Sequence, residues 1–196
     1  MKKTVACVWV LLLAFVLSFT GCLFPDDGKD MPYRKGTVKD GVYQSEFACL
    51  TFTLPEGFSF FTEEELSALT SLAREEGEDN QAGTLTDFMA KNDQTGASVS
   101  LCFEKDGGKT PQDFLTGLKD ELSSSADYTF SENREVTFAG SLSVQTQAEA
   151  AYGKSTVYQM IFVSGMGDGY MMTVTLTSPD ASDLPLLEAA FGTPEE

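Results

Sequence analysis

The sequence predicts an α+β domain built on a central antiparallel β-sheet, and three observations carry that prediction. From Ala97 to Phe103 the residues alternate, with Ala97, Val99, Leu101 and Phe103 on one side and Ser98, Ser100 and Cys102 on the other. The turn-forming Asn92–Gly96 just before them makes this run one arm of an antiparallel hairpin. In the last third, three extended runs (141–151, 155–164 and 170–177) are joined by short glycine-containing turns and read as a meander. Two segments carry helix start signals, Thr62 with Glu65 three residues on, ahead of these strands, and Thr110-Pro111-Gln112-Asp113, between the hairpin and the meander.

The chain opens on a different kind of segment. Lys2 and Lys3 precede an apolar centre, Val8 to Leu17, and then the small residues Ser18, Thr20 and Gly21. A charged start, an apolar middle and a small-residue end are the plan of a secretory signal peptide, residues 1–21. The stretch Val5–Gly21 approaches the ~18–20 residues that cross a bilayer. Cleavage is favoured over a retained span because the apolar centre is short and hydrophobicity falls from Ser18. No basic cluster follows either; Leu23, Phe24, Pro25, Asp26 and Asp27 come next. Residues 22–40 mix proline, glycine and charges of both signs without an apolar period, and read as a flexible stalk. Residues 41–196 remain as one folded domain, a size at which a real core forms.

Charge and composition exclude several functions. The formal net charge is −17. Residues 1–21 carry two lysines and no acid, so the rest sits near about −19. Such a surface repels phosphate backbones, which argues against nucleic acid as a partner. The chain has no histidine. That removes the commonest general base and the commonest zinc ligand. Of four cysteines, Cys7 lies in the signal and Cys22 directly follows it, leaving Cys49 and Cys102 for the fold. No metal-ligand spacing such as CxxC occurs, and the expectation is no metal and no cofactor.

Within the domain, Val42 and Tyr43 suggest a short strand. Phe47 to Leu54 suggests a stronger one, broken by Pro55-Glu56-Gly57. Phe58–Phe61 is a brief aromatic extension. The helix that Thr62 caps carries Glu63, Glu64 and Glu65 where the macrodipole favours acids, and an apolar stripe of Leu66, Leu69, Leu72 and Ala73. Arg74–Gly83 is an acidic loop without the spaced ligands of a calcium site. Thr84–Lys91 is the other arm of the hairpin. The helix capped by Thr110 buries Phe114, Leu115, Leu118 and Leu122 and ends before Ser123. Tyr128–Phe138 gives one or two strands before the meander. A closing helix opening at Asp180 or Ser182 carries Leu184, Leu186, Leu187, Ala190 and Phe191, with Pro185 in its first turn.

Two resemblances add to this reading. Phe19-Thr20-Gly21-Cys22 resembles the lipobox of bacterial lipoproteins at Thr20, Gly21 and Cys22, with Phe19 in place of the usual leucine. The resemblance implies cleavage between Gly21 and Cys22 and a diacylglyceryl thioether on Cys22, with acylation of the new amine. Two or three chains together anchor stably, where one is marginal. The implied localisation is the extracytoplasmic face of the cell membrane. The second covers about residues 41–192: Tyr43–Gly57 (YQSEFACLTFTLPEG), Thr110–Leu122, Thr137-Phe138-Ala139-Gly140, and Gly169-Tyr170 leading into a strand and last helix. These stretches resemble the PsbP-like fold, named for an extrinsic photosystem II subunit. That resemblance implies helices on both faces of the sheet, an α/β/α sandwich. The fold serves assembly factors and protein-binding modules and has no shared catalytic residue set, so it assigns no site.

Cys49 and Cys102 both read as mid-strand. A disulfide between them is possible if their strands are neighbours, and export permits it; two buried free thiols are the alternative. With no histidine to activate a thiol, a cysteine nucleophile is disfavoured. The functional expectation is a non-enzymatic, membrane-anchored module that binds an envelope protein or a ligand. Two alternatives stand beside it, an envelope hydrolase using paired carboxylates and a solute-capture lipoprotein.

Overall fold

The period-two runs dictate the centre of the molecule. In the computed structural model, which describes residues 33–75, 84–152, 155–166 and 169–194, they become three long strands, β9 (Ser141–Tyr152), β10 (Ser155–Met166) and β11 (Tyr170–Ser178). β10 pairs antiparallel with both of the others, as a meander does. The hairpin is β5 (Leu85–Lys91) and β6 (Ser98–Lys105), and it joins the meander through β6 against β11. The short β4 (Ser59–Phe60) lies beyond β5. β7 (Tyr128–Phe130) and β8 (Arg134–Phe138) pair with successive parts of β9. The result is an eight-stranded sheet in the order β4-β5-β6-β11-β10-β9-β7, with β8 also on β9.

A second sheet stands apart from it, made of β1 (Thr37–Lys39), β2 (Val42–Ser45), β3 (Leu50–Thr53) and the two-residue β12 (Phe191–Gly192), in the order β1-β2-β3-β12. Asp40 and Gly41, both at positive φ (51° and 77°), make the tight turn between β1 and β2. An Asp-Gly pair suits this turn because its backbone must go left-handed twice. Tyr33 and β1 belong to the stretch read as stalk. Here they are packed and paired: Tyr33 lies edge-on to Phe47, with ring centroids 5.7 Å apart, and β1 pairs β2.

The α/β/α sandwich is therefore corrected. Side chains on one face of the large sheet, Val99, Leu101 and Phe103 of β6, Met172, Val174 and Leu176 of β11, and Met160 and Phe162 of β10, form one core with Tyr43, Leu50 and Phe52 of the small sheet. A sheet occupies the place where the resemblance put a helical layer. Among the described residues the one helix in that core is the five-residue α3 (Leu184–Glu188), through Leu184 and Leu187. The closing helix is short because the chain goes extended at Phe191, which pairs with Phe52. Period-two alternation dictates that a strand face is buried; it does not dictate whether a helix or a second sheet buries it.

On the opposite face, α2 (Pro111–Ser125) lays Leu115, Leu118 and Leu122 on Val144, Ile161, Val163 and Met171. Its start is as the sequence spells it: the Thr110 hydroxyl accepts from the Asp113 amide (3.2 Å) and donates to its carboxylate (2.7 Å). α1 (Glu63–Glu75) is the third helix among the described residues. The Thr62 hydroxyl accepts from the Glu65 amide at its first turn, and Glu65 accepts from the Thr62 amide at 2.8 Å, the reciprocal capping box. Leu66 and Leu69 are half-buried; the side chains of residues 70–75, including Leu72 and Ala73, lie outside those described. No helix among the described residues is long and apolar enough to cross a membrane.

Candidate functional site

Strand pairing builds the site by setting two alternating rows side by side. Ser98, Ser100, Cys102 and Glu104 alternate along β6, and Met171, Thr173, Thr175 and Thr177 along β11. The antiparallel register sets Ser98 against Thr177, Ser100 against Thr175, Cys102 against Thr173 and Glu104 against Met171. Directly paired residues share a face. The same register carries the row outward to Gln159 on β10, opposite Thr177, and to Thr86 and Lys91 on β5, opposite Cys102 and Ser98. This is the face that α2 covers further along with leucines. Where α2 packs, the sheet presents Val144, Ile161, Val163 and Met171, and Thr173 and Thr175 are the cross-strand partners of Val163 and Ile161.

The polar stripe is buried. Ser98, Ser100, Cys102, Glu104, Gln159, Thr173, Thr175 and Thr177 are each less than one-tenth exposed. Several of their atoms have no hydrogen-bond partner among the described residues: the hydroxyls of Thr173 and Thr175, Gln159 Oε1 and Glu104 Oε1. Gln159 uses its amide nitrogen on the Thr177 hydroxyl at 3.3 Å. The Cys102 thiol donates to the Thr86 hydroxyl at 3.8 Å.

Electrostatics separate the two ends of the stripe. At the β6 C-terminal end, burial pushes the Glu104 carboxyl up to about 7, and the Glu121 carboxylate on α2 pushes the same way; Lys109 and the nearby Thr84 hydroxyl oppose them. At the other end, Lys91 donates to Glu65 at 2.9 Å and lies 3.6 Å from Asp93, so its charge is answered. The hydrogen bonds to Thr62 and Lys91 hold the Glu65 carboxyl below the usual range. Between the two ends the stripe's own side chains, Ser98, Ser100, Thr173, Thr175, Thr177 and Gln159, are neutral.

A second buried carboxyl ties the two sheets. Asp87 sits where the β5–β6 register slips, between Thr86 and Phe88, and a bulge re-aims its side chain. Its Oδ1 accepts from the Gly36 amide at 2.9 Å. Burial raises its pKa, against the pull of Tyr43, Gly36, Tyr33 and Lys35. Any side chain at Gly36 would run into the Tyr43 ring, so the approach requires glycine. This cluster joins the segment before β1 to the large sheet and has no open side.

The residues singled out from the sequence fall elsewhere. Gly21 and Cys22 lie outside the described residues. Cys49 is exposed, in the turn before β3 and not mid-strand, at positive φ (52°) with its thiol toward the Glu46 carbonyl at 3.5 Å. Cys102 is buried in the stripe, and the structure holds both as free thiols, unbridged. Burial pushes the Cys102 thiol up to about 12, which leaves it unionised and a poor nucleophile. Among the described residues no cluster of three or more Asp, Glu or Cys has the arrangement of a metal site. The hydroxyl stripe itself was not anticipated as a site, although half of it stood in the sequence as the polar side of 97–103. The other half is the Thr173, Thr175, Thr177 alternation in YMMTVTLT.

No family model matches the chain, and no curated protein matches it. Its fold does match solved structures. The solution structure of cyanobacterial PsbP (CyanoP) from Synechocystis sp. PCC 6803 superposes with a TM-score of 0.51 at 11% identity, over 89% of this chain and 100% of that one. LpqN of Mycobacterium tuberculosis, described as involved in cell envelope biogenesis, matches with a TM-score of 0.46 at 12% identity, over 74% of this chain and 83% of that one. A protein of Bacteroides thetaiotaomicron VPI-5482 matches at 0.45 and 13%, over 80% of this chain and 49% of that one. The likeness to the cyanobacterial protein makes the domain PsbP-like in fold; at such identity it speaks to fold alone.

Proposed function

We propose that this protein is a lipid-anchored binding module on the extracytoplasmic face of a bacterial cell membrane, and that it is not an enzyme. The observation that carries the binding half is the buried hydroxyl stripe between β6 and β11. It leaves oxygens of Thr173, Thr175 and Gln159 without a partner, hydrogen-bonding capacity that the fold itself does not use, and its one thiol is kept protonated by burial. The anchoring half rests on the sequence alone, on the signal segment 1–21 and the lipobox-like Thr20-Gly21-Cys22. The membrane is then one partner, through Cys22, and an envelope protein or a small ligand is the other. With a net charge of −17, nucleic acid is not among its partners.

Cell fractionation with intact-mass measurement tests the anchor. The wild-type chain is expected in the membrane fraction, beginning at Cys22 and carrying at least two acyl chains. Cys22→Ala is expected to lose the lipid mass and leave the membrane fraction. A Cys22→Ala protein that stays membrane-bound to the same extent contradicts the anchor.

One observation favours carboxylate chemistry as a second reading. Glu104 is pushed up to about 7 by burial and by the charge of Glu121 on α2, and a raised carboxyl near a second one is what glycan hydrolysis starts from. Release of reducing ends from cell-wall glycan by the wild type, abolished in Glu104→Gln, would favour the hydrolase.

A further inference from the structure

We propose that the domain rests on the lipid surface with one particular end, the end of the two sheets at which the chain enters through Tyr33, and that its acidic opposite end faces away from the membrane. The inference rests on reading the protein as lipid-anchored through Cys22 and names the face it turns to the lipid.

Strand register defines that end. The Tyr33 ring lies 5.7 Å from Phe103, and the Phe47 ring 5.1 Å from it. Phe103 stands opposite Met172, Met172 opposite Ser164, and the Ser164 hydroxyl meets Ser143 at 2.6 Å. One level of the large sheet therefore runs from β6, beneath Tyr33, across to β9. Lys105, Met166 and Leu142 lie beyond that level, at or beside the ends of their strands.

The tether leaves from the same end. Residues 22–32 separate Cys22 from the domain and reach about 40 Å at most when fully extended. Tyr33, where they join it, is packed on Phe47 and Phe103 rather than on the middle of the fold. The other end of the twelve-residue β10 stands about 40 Å further along the strand. A short tether fixed at one end of an elongated sheet holds that end nearer the lipid than the other.

Charge favours the same orientation. Arg34 and Lys35 are exposed beside Tyr33, Lys105 stands 4.2 Å over the Tyr170 ring, and Lys109 is exposed in the turn that follows. Glu46, Glu63, Asp106 and Asp113 balance them, so this end is close to neutral in a chain of net charge −17. Among the described residues the opposite end exposes Glu56, Asp93, Asp127 and Asp180, and its cation, Lys91, is paired with Glu65 and Asp93. A bilayer with anionic headgroups attracts bases and repels acids within a Debye length, and so repels the Tyr33 end least. Half-buried rings do not distinguish the ends, since Phe58 and Phe60 match Tyr33 and Phe47. Two leucines make matched reporters instead. Leu142 at the Tyr33 end and Leu186 on α3, which follows the acidic turn at Asp180, are each 71% exposed.

The test couples the chain from Cys22 onward to a maleimide-bearing lipid in vesicles of phosphatidylglycerol and phosphatidylcholine, with a nitroxide on a fraction of the headgroups. Cys49→Ser leaves Cys22 as the reactive thiol, because Cys102 is buried. The chain's one tryptophan, Trp9, precedes Cys22, so Leu142→Trp and Leu186→Trp each carry a single reporter. Both positions are exposed, and urea unfolding checks that each variant is folded. The nitroxide is expected to quench Leu142→Trp at least threefold more than Leu186→Trp. Adding Lys105→Gln/Lys109→Gln is expected to reduce the Leu142→Trp quenching by at least half. Equal quenching at the two positions, no quenching at Leu142→Trp, or quenching unmoved by the double variant overturns the inference. The coupling at Cys22 is supplied chemically, so such a result leaves the anchor standing; the anchor falls only if Cys22→Ala stays membrane-bound in cells.

Discussion

Glu104→Gln is expected to stabilise the domain at pH 8 and to flatten its stability between pH 4.5 and 7. Glu104 is 8% exposed, with one carboxylate oxygen unpartnered, and its pKa is pushed from 4.5 to about 7. Below pH 4.5 the side chain is protonated in both folded and unfolded chains and exerts no pH dependence. Between 4.5 and 7 the folded protein keeps a proton that the unfolded chain has lost, so stability falls as pH rises. Above 7 both states are ionised and the loss is complete. The size of the loss is on the order of 3 kcal/mol, from the shift at 1.36 kcal/mol per unit. Burial supplies most of it, Glu121 on α2 adds to it, and Lys109 and Thr84 reduce it. Glutamine matches the shape and carries no charge. Urea unfolding of wild type and variant at pH 5 and pH 8 isolates this group, because Asp87, Glu65 and Asp180 are common to both chains. The variant is expected to gain little at pH 5 and on the order of 3 kcal/mol at pH 8. An equal difference at the two pH values would mean that Glu104 is not buried.

Phe52→Ala is expected to cost about 3–5 kcal/mol. The ring is fully buried on β3. It stacks on Phe88 of the large sheet at 5.1 Å, lies 4.7 Å from Phe191 of β12, and meets Phe60 of β4 at 6.1 Å. It therefore touches both sheets and the last strand at once. Removing it leaves a void that close-packed neighbours fill only in part. Against a typical domain stability of about 5–15 kcal/mol, that loss is a large fraction. Leu186 is the control: it is 71% exposed on α3, and Leu186→Ala is expected to stay within about 0.5 kcal/mol. Thermal and urea unfolding report both. If Phe52→Ala costs no more than Leu186→Ala, the small sheet is not packed on the large one.

What the sequence shows of this fold follows the range of the interactions. Residues 97–103 and the runs after Ser141 reveal strands because alternation is local and glycine-marked turns punctuate it. The two capped helices are legible for the same reason, since Thr62 with Glu65 and Thr110 with Asp113 satisfy amides three residues away. β12 is not legible. Two residues carry no period, and Phe191 reads as the last apolar position of a helix until its pairing with Phe52 is seen. That pairing belongs to the sheet which takes the place of the expected helical layer. The same limit hides the site. Each polar row is visible along its own strand, but the β6–β11 register that joins them is long-range. A glutamate at a strand end, as Glu104 is, reads as solvated until its neighbours are placed. Residues 33–40 have stalk composition, yet Tyr33 packs on Phe47 and Phe103 and the Gly36 amide meets Asp87. Mixed charge and glycine signal an irregular chain, not necessarily a free one.

The claim that this protein works as an anchored binding module is tested most directly by crosslinking in intact cells. Captured proteins are identified by mass spectrometry, with wild type compared against Cys22→Ala. The account predicts a specific envelope partner, captured reproducibly by the wild type and lost or strongly reduced when the anchor is removed. The same partner captured equally by Cys22→Ala would contradict the role of the anchor. No partner in either chain, together with no bound ligand, would contradict the binding module itself.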